Sequence, residues 1–432
     1  MARKISVVEI PYEQLLDPSA DLTEALWRGF GPDGLGIVTV SGVPDYPALR
    51  DALLPLAQQF ADLPNDVKQA HEHAASSYNV GWSHGKEALR SGMPDTHKGS
   101  FYANPLQDTY DGVDQDTASR YRSYYSPNLW PRQALPQLEG CFKQLGSLVI
   151  DVGLLLAQHC SKYVQQQLSN AVGQPLSQQE QAQLDFEGQL RRSSCHKARL
   201  LHYFPTNCGD QQQQQQQQVA DGEDWCGWHL DHGALTGLTS AMYIKDGQQV
   251  PCPDPSAGLY ICDRSGEVVQ AAIPPGHIAY QMGQVMAIQS GGLLRATPHC
   301  VRAAAAGEPG VSRNTFAVFM QPETSLLLEA PRAAAGLGAL LCMDSGHWAP
   351  GMSFGEFAEA TMHGYYATPA AAAAAASGSP ARSAAAAAAA AAGSAGGADA
   401  TPTSAKDVAP ASVLMAAEAA VRKRLQLLVS HE

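Results

Sequence analysis

His229 and Asp231, in Trp228-His229-Leu230-Asp231-His232-Gly233, are the residues whose types and spacing point most directly at chemistry. If 225–231 is a strand, residues two apart share a face of the sheet, and an imidazole nitrogen stands beside a carboxylate oxygen. That pair is two-thirds of a 2-His-1-carboxylate iron site. His-x-Asp also arises by chance in ordinary turns and surfaces, so a second histidine on a neighbouring strand is required. His299, in GGLLRATPHCVRA at a predicted strand start after Pro298, is the best candidate. His277, after Pro274-Pro275-Gly276, competes, and His232 stands too close to His229 to face inward with it. With fourteen histidines in the chain, this pattern alone does not decide.

Arg313 adds weight. In VSRNTFAVFMQP it stands two residues from Thr315, so guanidinium and hydroxyl share one face of a predicted strand over 313–320. An arginine facing a barrel interior is costly unless an anion pairs with it. No nearby acidic residue is an evident partner, so a bound carboxylate held bidentately is the natural one. The competing reading is an arginine at a strand end, paired with solvent.

The elements that must position these residues are short strands. From residue 197 onward, candidates cover 198–204, 225–231, 235–244, 258–262, 268–271, 277–281, 285–288, 298–302 and 313–320, punctuated by Gly, Pro and Asp turns. This is the pattern of an antiparallel sandwich or jelly roll, not of alternating βαβ units. The fold expected is mainly β with flanking helices around a double-stranded β-helix core. Ahead of it come a weak strand at 5–10, a helix at 21–30, a β-branched strand within 34–44, a helix at 46–63 and a long helix at 135–164. Residues 164–183 are glutamine-rich and poorly patterned. Loops rich in Tyr, Trp, Asn and His (77–105 and 124–131) either cover a ligand or fill gaps over a core.

This divides the chain into a supporting and covering region at 1–195 and a jelly-roll core at 196–325. The core contains a loop at 209–222 carrying eight consecutive glutamines, Gln211–Gln218. A helical segment follows at 326–367, with a short helix at 353–366. Residues 368–411, nearly all Ala, Ser, Gly, Thr and Pro, read as a disordered linker, and 412–432 as a final helix.

Composition narrows the classes. The net charge of −13, with no Lys/Arg cluster, excludes a nucleic-acid polymer as the expected partner. Nine scattered cysteines without a CxxC pair suggest reduced thiols and not a disulfide framework. No stretch reaches the roughly 18 consecutive apolar residues of a membrane span, and MARKISVVEIPYEQL lacks the apolar region of a leader, so a cytoplasmic protein is expected.

Taken together, these motifs resemble the iron(II)- and 2-oxoglutarate-dependent oxygenases of the isopenicillin N synthase-like group over most of residues 1–366. GLGIVTVSGVP resembles the strand before that family's "HGVP" turn, and ARLLHYFPTNC its strand ending in Asn-x-Tyr-Pro. The resemblance implies that His229, Asp231 and His299 ligate Fe(II), and that Arg313 and Thr315 bind the distal carboxylate of 2-oxoglutarate. Dioxygen would be the further cosubstrate, and a small organic molecule the substrate, entering under loops 77–105 and 124–131. The implied reaction oxidises that substrate, most commonly by hydroxylation, with succinate and carbon dioxide as co-products. Desaturation or ring closure uses the same iron. Three departures stand out: Phe204 replaces a tyrosine whose hydroxyl helps hold the cosubstrate, Thr315 replaces serine, and fourteen positions separate His299 from Arg313, longer than is usual for the group. The residues also allow two other readings. One is an oxidase in which Arg313 and Thr315 hold a substrate carboxylate without 2-oxoglutarate. The other is a non-catalytic barrel serving as an interaction module.

Overall fold

The computed structural model describes residues 3–87, 94–205, 226–302, 310–337 and 347–363. The glutamine run, the 303–309 connection, the 368–411 linker and the 412–432 helix lie outside the described residues. In chain order the first elements are β1 (Arg3–Ser6), β2 (Val8–Pro11), α1 (Tyr12–Leu16), α2 (Thr23–Phe30), β3 (Ile37–Ser41), α3 (Tyr46–Leu53), α4 (Pro55–Ala61) and α5 (Asn65–Ala70). Next come β4 (Gly81–His84), β5 (Lys98–Ala103), α6 (Gln115–Arg120), α7 (Arg122–Tyr125), α8 (Gln137–Val172), α9 (Gln178–Gln183) and α10 (Phe186–Arg191). The strand-rich part follows with β6 (Lys197–Tyr203), β7 (Cys226–His229), β8 (Leu235–Thr239), β9 (Met242–Lys245), β10 (Gln248–Val250), β11 (Gly258–Cys262), β12 (Val268–Ala272) and β13 (Ile278–Met282). Last are α11 (Gln284–Gln289), β14 (His299–Arg302), β15 (Ser312–Met320) and α12 (Phe354–His363).

Two sheets face each other. The smaller runs β1-β12-β11-β14-β7, and the larger runs β2-β3-β13-β8-β15-β6-β5-β4, with β9 pairing β15 and β10. Alternation assigns the faces. Ile37, Leu238 and Ala279 of the large sheet pack against Leu259, Ile261, Val269 and Ala271 of the small one, which fixes the inner walls. The residues in between, Val38, Leu200, Tyr280, Phe316 and Val318, turn outward and pack under α8 with Phe142, Val149 and Val152.

α8 lies very close to the sheet. A Cβ on Gly153 would stand 2.3 Å from Met320 Sδ, and one on Gly237 would stand 2.2 Å from Val149 Cγ1. Among the described residues α8 is the helix long and apolar enough to cross a membrane, but 56% of its most apolar window is buried in this packing.

Several expected boundaries change. The helix expected over 46–63 breaks at Leu54, because Pro55 removes a donor. α8 runs on through the glutamine-rich stretch to Val172, and Gly173 closes it at φ 70°. The single strand expected at 5–10 is two strands in different sheets, and 235–244 divides at Ser240 and Ala241. Residues 284–289 are helix where a strand was expected at 285–288; every one of the six is buried, and a short apolar run carries no period to distinguish the two.

Candidate metal centre

His229 is the last residue of β7 and His299 the first of β14, and the two are register partners. Their ring centroids are 4.2 Å apart. Asp231 arrives differently from the sequence expectation. β7 ends at His229, so strand alternation does not place the carboxylate; the turn Leu230–Ala234, crossing from small to large sheet, does. Backbone bonds pin this turn. Gln284 N donates to Asp231 O (2.8 Å), Val285 N to Gly233 O (3.0 Å), and Ala234 N to Met320 O (2.9 Å). Asp231 Oδ1 thereby stands 3.6 Å from His229 Nε2 and 3.8 Å from His299 Nε2. All three donors lie within 4.8 Å of one another, and this is the one such cluster among the described residues.

The second ring nitrogens are held too. His229 Nδ1 bonds Gly227 O at 2.8 Å, and His299 Nδ1 bonds Thr297 O at 3.1 Å. Backbone carbonyls accept, so each Nδ1 carries a hydrogen and Nε2 is the ring atom turned toward Asp231; despite burial, Cys226 and Asp231 raise the His229 pKa to about 10, so an ion binding there displaces a proton. Burial would raise the Asp231 pKa, but the surrounding polar groups, the two site imidazoles foremost, hold it below the ordinary carboxylate value. Burial, with the nearby His229, pushes His299 down to about 4, so it is neutral at pH 7. Two imidazoles and one carboxylate converging within this distance are a donor set that would suit a divalent transition metal.

His277 is not part of the cluster; it sits at a turn where its N–H donates to Pro274 O. His232 turns to Tyr124 Oη at 3.4 Å and lies over the Phe354 ring.

On the facing wall, Arg313 and Thr315 share the inner face of β15, as the spacing predicts. The guanidinium carbon of Arg313 is 4.8 Å from the centroid of the Tyr203 ring, its partner residue across the β15–β6 register. Tyr243, its register partner on β9, hydrogen-bonds it from the other side. Thr315 Oγ1 donates to Thr239 O at 3.3 Å.

Tyr203 corrects the emphasis on Phe204. Phe204 packs against His84 and His202, with centroids at 4.9 and 4.7 Å, whereas Tyr203 is the aromatic beside Arg313. Its inward position follows from the same parity that puts Arg199 and Leu201 inside.

Sequence reasoning also missed an ion network on the same wall. Lys98 pairs with Asp95 and, at 3.2 Å, with Glu87. Arg199 reaches Glu87 at 2.7 Å and Ser100 Oγ at 2.9 Å. Burial would raise Glu87, but Arg199 and then Lys98 bring it to about 2. Its members come from residues 87–199 and meet only through the β5–β6 register. Cys226 was missed as well. A register irregularity between β7 and β14 brings its thiol to 3.7 Å from His229 Nδ1.

No protein-family model matches the sequence. The chain is 22% identical over 267 residues to the Oryza sativa subsp. japonica protein Homoarginine-6-hydroxylase 2-ODD-233, covering 62% of this chain and 69% of that relative. In structure it is similar to a full-length Neurospora crassa protein solved in complex with alpha-KG, with a TM-score of 0.57, 18% identity, and coverage of 81% of this chain and 94% of that one. It is also similar to JOX2, solved with 2OG, Fe and JA, with a TM-score of 0.51, 15% identity, and coverage of 82% and 84%.

The fold is that of the iron(II)- and 2-oxoglutarate-dependent oxygenases. In this oxygenase fold the sheet-to-sheet turn carries Asp231, the small sheet carries the two histidines, and the large sheet carries Arg313.

Proposed function

We propose that this protein is an iron(II)- and 2-oxoglutarate-dependent oxygenase of the isopenicillin N synthase-like group. It oxidises a small organic substrate, most simply by hydroxylation, with succinate and carbon dioxide as co-products. The observation that supports this reading most is the convergence of His229, Asp231 and His299 with both Nδ1 atoms anchored, facing a wall that carries Arg313.

His229 and His299 would ligate Fe(II) through Nε2 and Asp231 through its carboxylate. When bound, the iron supplies the activation of dioxygen coupled to decarboxylation of 2-oxoglutarate. The remaining work belongs to the chain. Thr236 stands beside Asp231 at the start of β8. Arg313, flattened on Tyr203, presents its fork to the distal carboxylate of the cosubstrate, and Thr315 adds a hydroxyl on the same face. The closed apolar contact between the sheets keeps water from the remainder of the interior. We place the protein in the cytoplasm.

The test is oxygen uptake and succinate release, with and without 2-oxoglutarate, over a panel of small organic molecules. Substrate-stimulated oxygen uptake without succinate would replace this reading with an oxidase that uses no 2-oxoglutarate.

A further inference from the structure

The inner wall of the large sheet carries a strip that neither the metal centre nor the Arg313 end accounts for. Gln281 on β13 pairs with Thr236 on β8, Thr236 with Phe319 on β15, and Phe319 with Lys197 on β6. Four inward side chains therefore cross the wall in one row. The row meets the metal centre at Thr236, next to Asp231. Arg313 lies six residues along β15 from Phe319, about 20 Å of strand, so cosubstrate clamp and strip occupy opposite ends of the wall.

Three members of the row have buried polar atoms with nothing to bind. Lys197 is 4% exposed, Thr236 2% and Gln281 fully buried, yet Lys197 Nζ, Thr236 Oγ1 and both amide atoms of Gln281 make no hydrogen bond among the described residues. Burying an ammonium without a partner is strongly unfavourable, and native folds do it seldom. The other amine of this wall, Lys98, is committed to Asp95 and Glu87, and Arg199 to Glu87. Burial, opposed by the Cys195 thiol, pushes Lys197 down to about 8, so it remains mostly cationic at neutral pH.

Building on the oxygenase reading above, we propose that Lys197 receives an anionic oxygen of the substrate, which is thus a small organic anion, a carboxylate in its simplest form. Two strand spacings, about 10 Å, separate Lys197 from Thr236. A molecule anchored at Lys197 lies across the half-buried Phe319 ring, with its other end at the metal centre. Gln281, beyond Thr236, offers an amide donor and acceptor to a polar group at that end.

The test uses acetate and its neutral isostere acetamide as probes, read as thermal shifts of the full chain under nitrogen with iron(II) and 2-oxoglutarate present. Acetate raises the melting temperature of the wild type and of Lys197→Arg but not of Lys197→Met, and acetamide shifts none of them. Acetate acting equally on wild type and Lys197→Met, or on neither, overturns the proposal. Without any probe, Lys197→Met melts at or above the wild type, because a buried uncompensated charge has gone; a melting temperature lowered by several degrees shows a structural partner and overturns it as well. Anaerobic titration of the wild type with iron and 2-oxoglutarate runs alongside. If those fail to bind, the oxygenase reading falls, while the acetate comparison, repeated without them, still decides Lys197.

Discussion

The two site histidines each spend one nitrogen on a backbone carbonyl two residues upstream, which fixes the ring orientation and leaves Nε2 as the atom turned toward an ion. His299→Ala and Asp231→Ala therefore abolish iron binding, and His277→Ala leaves it intact, as read by iron content after anaerobic loading. Iron retained by Asp231→Ala would remove the carboxylate from the site. Arg313→Met raises the KM for 2-oxoglutarate by about a hundredfold, the loss of a charge-assisted bidentate contact worth roughly 3 kcal/mol; an unchanged KM would assign Arg313 another ligand. Glu87 gives the pH prediction. Its folded pKa of about 2 lies below the ordinary 4.5, so its stabilising effect is complete above pH 4.5 and is lost as pH falls toward 2. Denaturant titrations of wild type across that window lose on the order of 3 kcal/mol from this group. Glu87→Gln is less stable at pH 7 and lacks that part of the acid sensitivity; a parallel pH profile would show the ion network contributes nothing.

At the scale of elements, the position of Asp231 depends on two glycines. A Cβ on Gly283 would stand 2.2 Å from Gly233 O, in the turn that carries Asp231. Gly283→Ala pushes that turn away, so it weakens iron binding at least tenfold and costs about 1–3 kcal/mol of stability; wild-type iron affinity would mean that the turn yields freely. This is also where the sequence was least legible. The facing of His229, His299, Arg313 and Thr315 was legible because each sits on a strand, where residue type and period 2 report it. Asp231 joins the cluster, but not by the strand alternation expected of it, since it lies past the end of β7. Tyr203, Glu87, Lys98 and Lys197 depend on which strand pairs with which, and register between strands distant in sequence leaves no local pattern. The helix at 284–289 was misread for want of a period, whereas β11 and β12 were legible because Gly and Asp turns bound them.

For the whole molecule, the donors for iron would come from two adjacent strands of one sheet, β7 and β14, and from the turn into the other, so a bound ion ties the sheets together. Iron(II) at a hundred times its Kd stabilises the protein by about 2.7 kcal/mol, seen as a higher melting temperature that a chelator reverses. No change on chelation would mean that the ion is absent from the folded state.

The short strands β1 and β2 also belong to different sheets, with only Val7 between them. Arg3 pairs with Val269, and Val8 pairs with Val38, whose own strand pairs with β13. In a chain emerging from a ribosome, residues 3–6 have no strand to join until residues 268–272 have been synthesised. The sandwich therefore closes late, and during translation its open edges are exposed to other nascent chains. Yield of folded protein should accordingly depend on translation speed and holdase chaperones more than on final stability.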